Sequence, residues 1–241
     1  MKKDTLFHNR AMNKDFVFND AVADVFDDML SRSVPFYTTI IDMTAALLEQ
    51  LLPHGASIYD LGCSTGTTLM ELARRLEDSE LSLIGIDNAP AMLAQARRKA
   101  ERFRTATRIS FIEADITRYP LEGAGAILCN YTLQFLRPLV RADFLRRLHD
   151  ALEPGGVLVL SEKIICPAPR LNRLYIDRYH TFKRQHGYSD LEIATKREAL
   201  ENVLIPFSLE ENLCLLRDAG FAEVEPFFLW FNFAAFVGIK S

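Results

Sequence analysis

Polar side chains end four consecutive apolar segments of this sequence. Asp60, Asp87, Asp115 and Asn130 each stand within one residue of the end of such a segment, and a glycine-containing loop, residues 62–66, follows the first of these segments. A carboxylate offers two oxygens, which match the two vicinal hydroxyl donors of a ribose, whereas an amide offers a donor and an acceptor without charge. This ordered set predicts a site for a ligand that contains a nucleoside.

The loop after Asp60 supplies the backbone part of that site. Gly62 and Gly66 permit a positive φ and let a ligand approach the main chain closely. A helical pattern follows the loop, so the free N–H groups of its first turn point towards the same place. A single loop of this kind is weak evidence, and the four strand-end groups together are stronger.

Alternating strands and helices are needed to position these groups. Near-continuous apolar runs predict strands at 57–61, 81–86, 109–114, 126–129, 157–161, 224–230 and 233–239. Amphipathic spacing and capping residues predict helices after Asn19, over 37–52, after Gly66, from Pro90, over 141–152 and over 209–218. Residues 154–156, Pro-Gly-Gly, predict a turn.

The order of these elements predicts an α/β, Rossmann-like fold with a mostly parallel seven-stranded sheet. Residues 231–232 are too few for a crossover helix, so the last two strands form an antiparallel hairpin. This is the architecture of class I S-adenosylmethionine-dependent methyltransferases. We expect one domain over 1–241, with an N-terminal helical cover at 1–54 and a helical insertion at 167–205, before the last helix. Residues 1–18 lack a clear period and predict a loosely docked arm.

In that architecture the strand-end groups have expected contacts with the nucleoside of S-adenosylmethionine. Asp87 accepts from the ribose hydroxyls, and Asn88 lines the same edge. Asp115 accepts from the adenine amino group, while Ile116 offers its backbone N–H and an apolar face. For any one of these carboxylates, the alternative is that it only caps a helix.

The remaining contacts concern the amino-acid end of the ligand. The backbone of Gly62, Cys63 and Ser64 suits the aminoacyl group, and Asn130 faces the sulfonium as an uncharged polar lining. Cys63 is interpreted as a small turn residue, because no partner histidine for a nucleophilic thiol is apparent.

Composition narrows the possible functions. The net charge of -4 gives no basic excess, so we expect no direct nucleic-acid binding. No apolar run reaches the length of a membrane span. The four cysteines stand singly and the five histidines lack metal-ligand spacing, which predicts no metal site and a cytoplasmic protein.

Short segments along nearly the whole chain carry a closer resemblance. They are DTLF (4–7), VF (25–26), RSVP (32–35), YDLGCS (59–64), GIDN (85–88), TLQFL (132–136), LSEK (160–163), FKR (182–184), GYS (187–189), KR (196–197), LENV (200–203) and FNF (231–233). With these segments the sequence resembles the carboxy-S-adenosyl-L-methionine synthase family. Phe36 departs from it, because the family usually has glycine there.

The resemblance implies an enzyme that converts S-adenosylmethionine, as a substrate, and prephenate to carboxy-S-adenosylmethionine and phenylpyruvate. A partner enzyme then transfers the carboxymethyl group to a hydroxylated wobble uridine of tRNA. The residues that the resemblance places against the nucleotide ligand are Tyr37, Gly62, Cys63, Ser64, Asp87, Asn88, Asp115, Ile116, Asn130 and Arg197. The aromatic C-terminal strand and the helical insertion favour a homodimer.

Arg197 is the expected anchor for the new carboxylate. A methyl donor has no anion beyond its sulfonium methyl, whereas a carboxymethyl sulfonium does, and a guanidinium binds a carboxylate bidentately. The alternative for Arg197 is a solvated helix charge. Candidates for prephenate's carboxylates are Lys163, Lys196 and Arg184.

No residue stands out as the base, and the hydroxyl that leaves prephenate is one possibility. Two other functions stay open. One is an ordinary S-adenosylmethionine-dependent methyltransferase of small molecules, and the other is a non-catalytic protein that binds S-adenosylmethionine.

Overall fold

Helices and strands alternate from residue 57 onwards in the computed structural model, which describes residues 3–6, 16–102 and 108–241. The strands are β1 (Ser57–Leu61), β2 (Ser82–Asp87), β3 (Ile109–Glu113), β4 (Ala124–Asn130), β5 (Leu152–Ile165), β6 (Phe207–Ser208), β7 (Glu223–Trp230) and β8 (Phe233–Ile239). The main sheet has the order β3-β2-β1-β4-β5-β8-β7.

The strand directions confirm the predicted α/β sheet with its antiparallel C-terminal hairpin. Strands β1 to β5 pair in parallel, and β8 lies antiparallel between β5 and β7. The two-residue β6, which was not predicted, pairs in parallel with the end of β5. The order reverses at β1 and β4, so the carboxyl ends of these two strands border the crevice where such sheets bind ligands.

Helices cover both faces of the sheet. They are α1 (Asp20–Ser33), α2 (Tyr37–Leu51), α3 (Thr67–Arg75), α4 (Pro90–Ala100), α5 (Pro138–Ala151), α6 (Pro169–Gln185), α7 (Asp190–Leu200) and α8 (Leu209–Asp218). Leu145 of α5 and Leu216 of α8 belong to one buried cluster, while Leu48 of α2 and Leu69 of α3 belong to another. No helix of the described ranges is both long and apolar enough to cross a membrane.

Local capping explains where several helices begin. The Asn19 side chain accepts a hydrogen bond from the Val22 N–H at 3.1 Å, as the sequence predicts for the start of α1. Ser189 and Ser208 form capping boxes with glutamates three residues later, at the starts of α7 and α8. Helices α6 and α7 form the predicted insertion before α8.

The predicted start of β5 is wrong. The expected turn at residues 154–156 lies within β5, which starts at Leu152 and not at Val157. Pairing with β4 jumps from Ala124↔Leu152 to Ala126↔Val157, so the Pro-Gly-Gly segment bulges out of the ladder without ending the strand.

The expected loosely docked arm is also wrong for the described N-terminal residues, 3–6 and 16–18. Asp4 is 1% exposed, and its carboxylate accepts a hydrogen bond of 2.6 Å from the Tyr188 hydroxyl. The Arg32 guanidinium donates to the Asp4 carbonyl and to the carbonyls of His186 and Gly187. Polar pairs that join distant parts of the chain leave no periodic signal, so the sequence did not reveal this docking. Residues 1–2 and 7–15 lie outside the described residues.

Candidate ligand-binding site

A cavity of about 700 Å³ lies at the carboxyl ends of the central strands. Of the ten site residues predicted from the sequence, nine line it: Tyr37, Gly62, Cys63, Ser64, Asp87, Asn88, Asp115, Ile116 and Asn130. Residues of α1, α2 and α7 complete the wall, so the N-terminal helices and the insertion close the cavity from the side opposite the sheet.

The glycine loop requires its glycines for a geometric reason. Gly62 has φ of 73°, and a Cβ there would lie 2.5 Å from the Thr132 hydroxyl oxygen. Gly66 has φ of 72°, and a Cβ there would lie 2.8 Å from the Phe111 ring. A side chain at Gly62 would therefore displace the loop that holds Thr132 at the cavity, and one at Gly66 would displace the Phe111 ring of β3.

Asp87 connects that loop to the end of β2. Its two carboxylate oxygens accept hydrogen bonds from the backbone N–H groups of Ser64, at 2.8 Å, and Ala89, at 2.9 Å. The Asp87 carboxylate therefore has a structural role, which agrees with the alternative that such a carboxylate accepts hydrogen bonds from backbone N–H groups. Each oxygen keeps a second lone pair, and the residue lines the cavity, so accepting from a ribose is compatible with that role.

Asp115 and Asn130 are each held by hydrogen bonds to one neighbour, and the second Asp115 oxygen lies 3.8 Å from the Arg118 guanidinium. One Asp115 oxygen accepts from the backbone N–H and the hydroxyl of Thr117, and these bonds hold the pKa of Asp115 below its ordinary value. The Asn130 oxygen accepts a hydrogen bond of 2.8 Å from the Ser161 hydroxyl. The Asn130 amide N–H₂ therefore remains as a donor at the cavity wall.

Asp60 belongs to the lining although it was absent from the ten predicted contacts. The residue is 3% exposed, and burial together with the neighbouring Asp87 raises the pKa of its carboxyl to about 7. A carboxylate in this position is suited to a ligand ammonium group, which would restore its ionised form. The sequence signal that could have predicted this contact was the position of Asp60 at the end of β1.

An aromatic wall is the part of the cavity that sequence reasoning missed. Phe18, Phe26 and Phe135 all line it, and the Phe18 ring lies 6.1 Å from Phe26 and 5.6 Å from Phe135. Phe18 and Phe26 come from α1 and the residues just before it, whereas Phe135 lies much later in the chain, so no local pattern connects all three. They offer an apolar surface for a flat ring.

The end of the cavity beside Asn130 is cationic and phenolic. Tyr131, Lys163, Tyr179 and Lys196 line it, from four different elements. The Tyr179 hydroxyl donates to the Ser33 carbonyl at 2.9 Å, and the Lys196 ammonium donates to the Ser33 hydroxyl at 2.9 Å. Burial lowers the pKa of Lys196 to about 8.

The insertion places the predicted arginines outside this lining. Arg197 lies on an exposed part of α7 and does not line the cavity. Burial is the main cause that lowers the pKa values of Lys163 and Lys183, and the charge of Arg197 lowers both further. Arg184 is exposed and pairs with Asp190 at 2.9 Å. Of the three candidates for holding prephenate, Lys163 and Lys196 line the cavity and Arg184 does not.

The buried cysteine of the loop fits its interpretation as a turn residue. Burial, Asp60 and Asp87 raise the pKa of the Cys63 thiol well above its ordinary value, so it stays protonated. In the described ranges no three His, Cys, Asp or Glu side chains lie together as a metal site would require.

Comparison with known proteins identifies the family. Residues 58–156 match the family model described as a methyltransferase domain. A protein of Desulfotalea psychrophila named carboxy-S-adenosyl-L-methionine synthase is 54% identical to this chain over 239 residues, which cover 99% of this chain and 98% of that protein. The protein of the same name from Wolinella succinogenes is 47% identical and covers 99% of both chains.

This chain belongs to the carboxy-S-adenosyl-L-methionine synthase family. Solved structures add the fold. A putative O-methyltransferase from Nostoc punctiforme superposes with a TM-score of 0.66 at 15% identity, over 92% of this chain and 59% of that one. A putative S-adenosyl-L-methionine-dependent methyltransferase from Methanococcus maripaludis gives 0.64 at 18% identity, over 95% and 96%. This chain therefore has the class I methyltransferase fold predicted from the sequence.

Proposed function

We propose that this protein converts S-adenosylmethionine and prephenate to carboxy-S-adenosylmethionine and phenylpyruvate. The observation that carries the proposal is the cationic lining of the cavity, to which Lys163 of β5 and Lys196 of α7 both contribute. A plain methyl donor brings no anion to these lysines, whereas prephenate has two carboxylates. The names of the full-length relatives support the same reaction.

The reaction balances without a further reactant. Prephenate loses its ring carboxylate as carbon dioxide and its ring hydroxyl as hydroxide, which leaves phenylpyruvate. The methyl group next to the sulfonium gives up one proton and forms a bond to the carbon of carbon dioxide. Hydroxide takes that proton and becomes water. The protein's task is to hold both substrates together and exclude bulk water while the carbanion and carbon dioxide exist.

Product analysis tests this function. Purified protein is incubated with S-adenosylmethionine and prephenate, and mass spectrometry is expected to find a nucleoside heavier than S-adenosylmethionine by one carbon dioxide, with phenylpyruvate in equal amount. The same nucleoside bound to the purified protein would be independent support. A methylated product that forms without prephenate would show an ordinary methyltransferase, and ligand retention without any turnover would show a non-catalytic binding protein.

Arg197 is the proposed anchor for the carboxylate of the product. It is exposed on α7, and its charge acts on Lys163 at the cavity wall. Arg197→Ala is expected to lower product formation by about tenfold or more, since a charge-assisted bidentate contact is lost. The matched control is Arg184→Ala, which removes the same charge from the neighbouring helix but pairs outside the cavity. Equal activity of the two variants would remove Arg197 from the mechanism.

A homodimer is part of the proposal. Exposed apolar side chains lie at the β7–β8 turn, on α6 and before α2: Leu229 (57% exposed), Phe231 (38%), Leu174 (45%) and Phe36 (48%). Sedimentation at working concentration tests it.

In a dimer, the exposed Arg197 could serve either subunit's cavity. Mixing Arg197→Ala with Asp87→Asn chains distinguishes the two cases, because activity returns only if the arginine acts across the interface.

The proposed product has a place in tRNA modification. It is the carboxymethyl donor for a second enzyme that acts on a hydroxylated wobble uridine, which would place both enzymes in the cytoplasm.

A further inference from the structure

Tyr131 is strained and leaves a polar atom without a partner. It adopts φ of 56°, which a non-glycine residue rarely does, at the point where β4 ends. Its hydroxyl is buried and has no hydrogen-bond partner among the described residues, although the residue lines the cavity. Backbone strain and a buried hydroxyl without a hydrogen bond both lower the stability of the folded protein. Such features are typical of sites where a bound ligand supplies the missing hydrogen bond.

Two lysines lie around one aromatic ring, that of Tyr179, which Phe233 connects to Tyr131. The Tyr179 ring has the Lys183 ammonium 4.4 Å from its centroid and the Lys163 ammonium 5.4 Å away. Phe233 connects this group to Tyr131, since its ring centroid lies 5.0 Å from that of Tyr179 and 6.2 Å from that of Tyr131. Lys183 is only 5% exposed, whereas Lys163 lines the cavity.

Among the described residues the two lysines of this group lack a carboxylate partner, whereas burial, Tyr37 and the buried carboxyl of Glu162 raise the pKa of Tyr131. In the described part of the chain, neither Lys163 nor Lys183 has a carboxylate within the 4.0 Å of an ion pair. Burial, reinforced by the charges of Lys196, Lys163 and Arg197, lowers the pKa of Lys183 to about 7. A bound anion would relieve this repulsion and would offer the Tyr131 hydroxyl an acceptor.

We propose that the Tyr131 hydroxyl and the Lys163 ammonium, supported by Lys183 across the Tyr179 ring, bind the carboxylate that the second substrate retains as its keto acid. This inference rests on the proposed function and assigns the two carboxylates of prephenate to different surroundings. Tyr131, Lys163 and Lys183 form the retained-carboxylate subsite.

Decarboxylation explains why the retained carboxylate belongs here. The ring carboxylate loses its negative charge as carbon dioxide leaves, so a cation bound to it would stabilise the substrate more than the transition state. The keto-acid carboxylate keeps its charge throughout, so lysines that bind it gain affinity without slowing the reaction. Lys196 differs from Lys163 because its ammonium group donates a hydrogen bond to the Ser33 hydroxyl. Burial lowers the pKa of Lys196, and the charges of Asp4 and Asp28 partly oppose that decrease.

Phenylpyruvate tests the subsite, since it has the retained carboxylate and lacks the reacting one. Lys163→Met and Tyr131→Phe are each expected to raise the KM for prephenate and the inhibition constant of phenylpyruvate by about tenfold or more, with S-adenosylhomocysteine affinity unchanged. Lys163→Arg is expected to recover part of the loss. The control is Tyr59→Phe, whose hydroxyl donates to the Glu122 carbonyl outside the cavity.

The outcomes separate the subsite from the reaction. If wild-type protein makes carboxy-S-adenosylmethionine and the variants keep the wild-type inhibition constant for phenylpyruvate, the subsite is overturned and the function stands. If wild-type protein makes no product, the function fails, and calorimetric titration with phenylpyruvate still tests the subsite. Absent binding, or binding that the two variants leave unchanged, overturns it.

Discussion

Replacing Asp60 by asparagine is expected to stabilise the ligand-free protein while weakening ligand binding. Burial and Asp87 raise the pKa of Asp60 from 3.8 to about 7. Because the pKa is higher in the folded protein than in the unfolded chain, ionising this carboxyl opposes folding. That unfavourable contribution is absent below about pH 4, grows between about pH 4 and pH 7, and is complete above about pH 7.

The size of the effect follows from the shift in pKa. A difference of about three pKa units corresponds to about 4 kcal/mol, which is an upper limit. The asparagine amide has no charge but must still leave water, which costs about 1 to 3 kcal/mol in a buried position. A net gain of about 2 kcal/mol in the free energy of unfolding at pH 8 is therefore expected.

Urea unfolding of ligand-free protein at pH 8 and pH 5 measures this gain, which should be smaller at pH 5. The matched control is Asp115→Asn, because Asp115 also ends a strand at the cavity but is exposed and has a lowered pKa. It should give no gain. An Asp60→Asn protein that is no more stable than wild type at pH 8 would refute the reasoning.

Ligand binding should respond in the opposite direction. S-adenosylhomocysteine offers an ammonium group, which favours ionised Asp60. The ionised fraction of a group with a pKa of 7 falls from about 0.9 at pH 8 to about 0.1 at pH 6, so wild-type affinity should fall by about tenfold. Calorimetry should find little of this pH dependence in Asp60→Asn. An unchanged pH profile in the variant would show that another group binds the ammonium.

Three further predictions follow from single contacts. Asp87→Asn should weaken S-adenosylhomocysteine binding by about tenfold or more in calorimetry and should lower the melting temperature, because a single amide oxygen cannot replace two carboxylate oxygens that both accept from backbone N–H groups. Unchanged affinity would contradict the ribose contact. Lys99→Met should speed ligand release in stopped-flow measurements, because the 2.7 Å ion pair between Lys99 and Asp27 holds α1 against α4 over the cavity. An unchanged release rate would show that α1 does not cover the bound ligand. Phe36→Gly should be more stable than Phe36→Ala by about 1 kcal/mol in urea unfolding, because residue 36 has φ of 57° and only glycine adopts this without strain; equal stability would refute that explanation.

Much of the sheet could be predicted because its signals are local. The bounds of β1 match the prediction, since five residues of apolar pattern end at a glycine turn. The Asn19 cap was predicted because a side chain and the N–H group that it accepts from lie three residues apart. The docking of Asp4 against Tyr188 could not be predicted, because that hydrogen bond joins residues 184 positions apart.

The order of amino acids was therefore enough to predict the fold and the family, together with eight strand-end and loop residues that meet in one cavity. Parallel strands bring their carboxyl ends to one edge, so the order of residues was enough to group these side chains. The grouping of the cationic and phenolic residues became apparent only in the folded chain. Lys163, Lys183 and Tyr131 come from β5, α6 and the loop after β4, and their shared surroundings depend on how the insertion packs against the sheet. The charge and burial that give this group its chemistry arise from that packing.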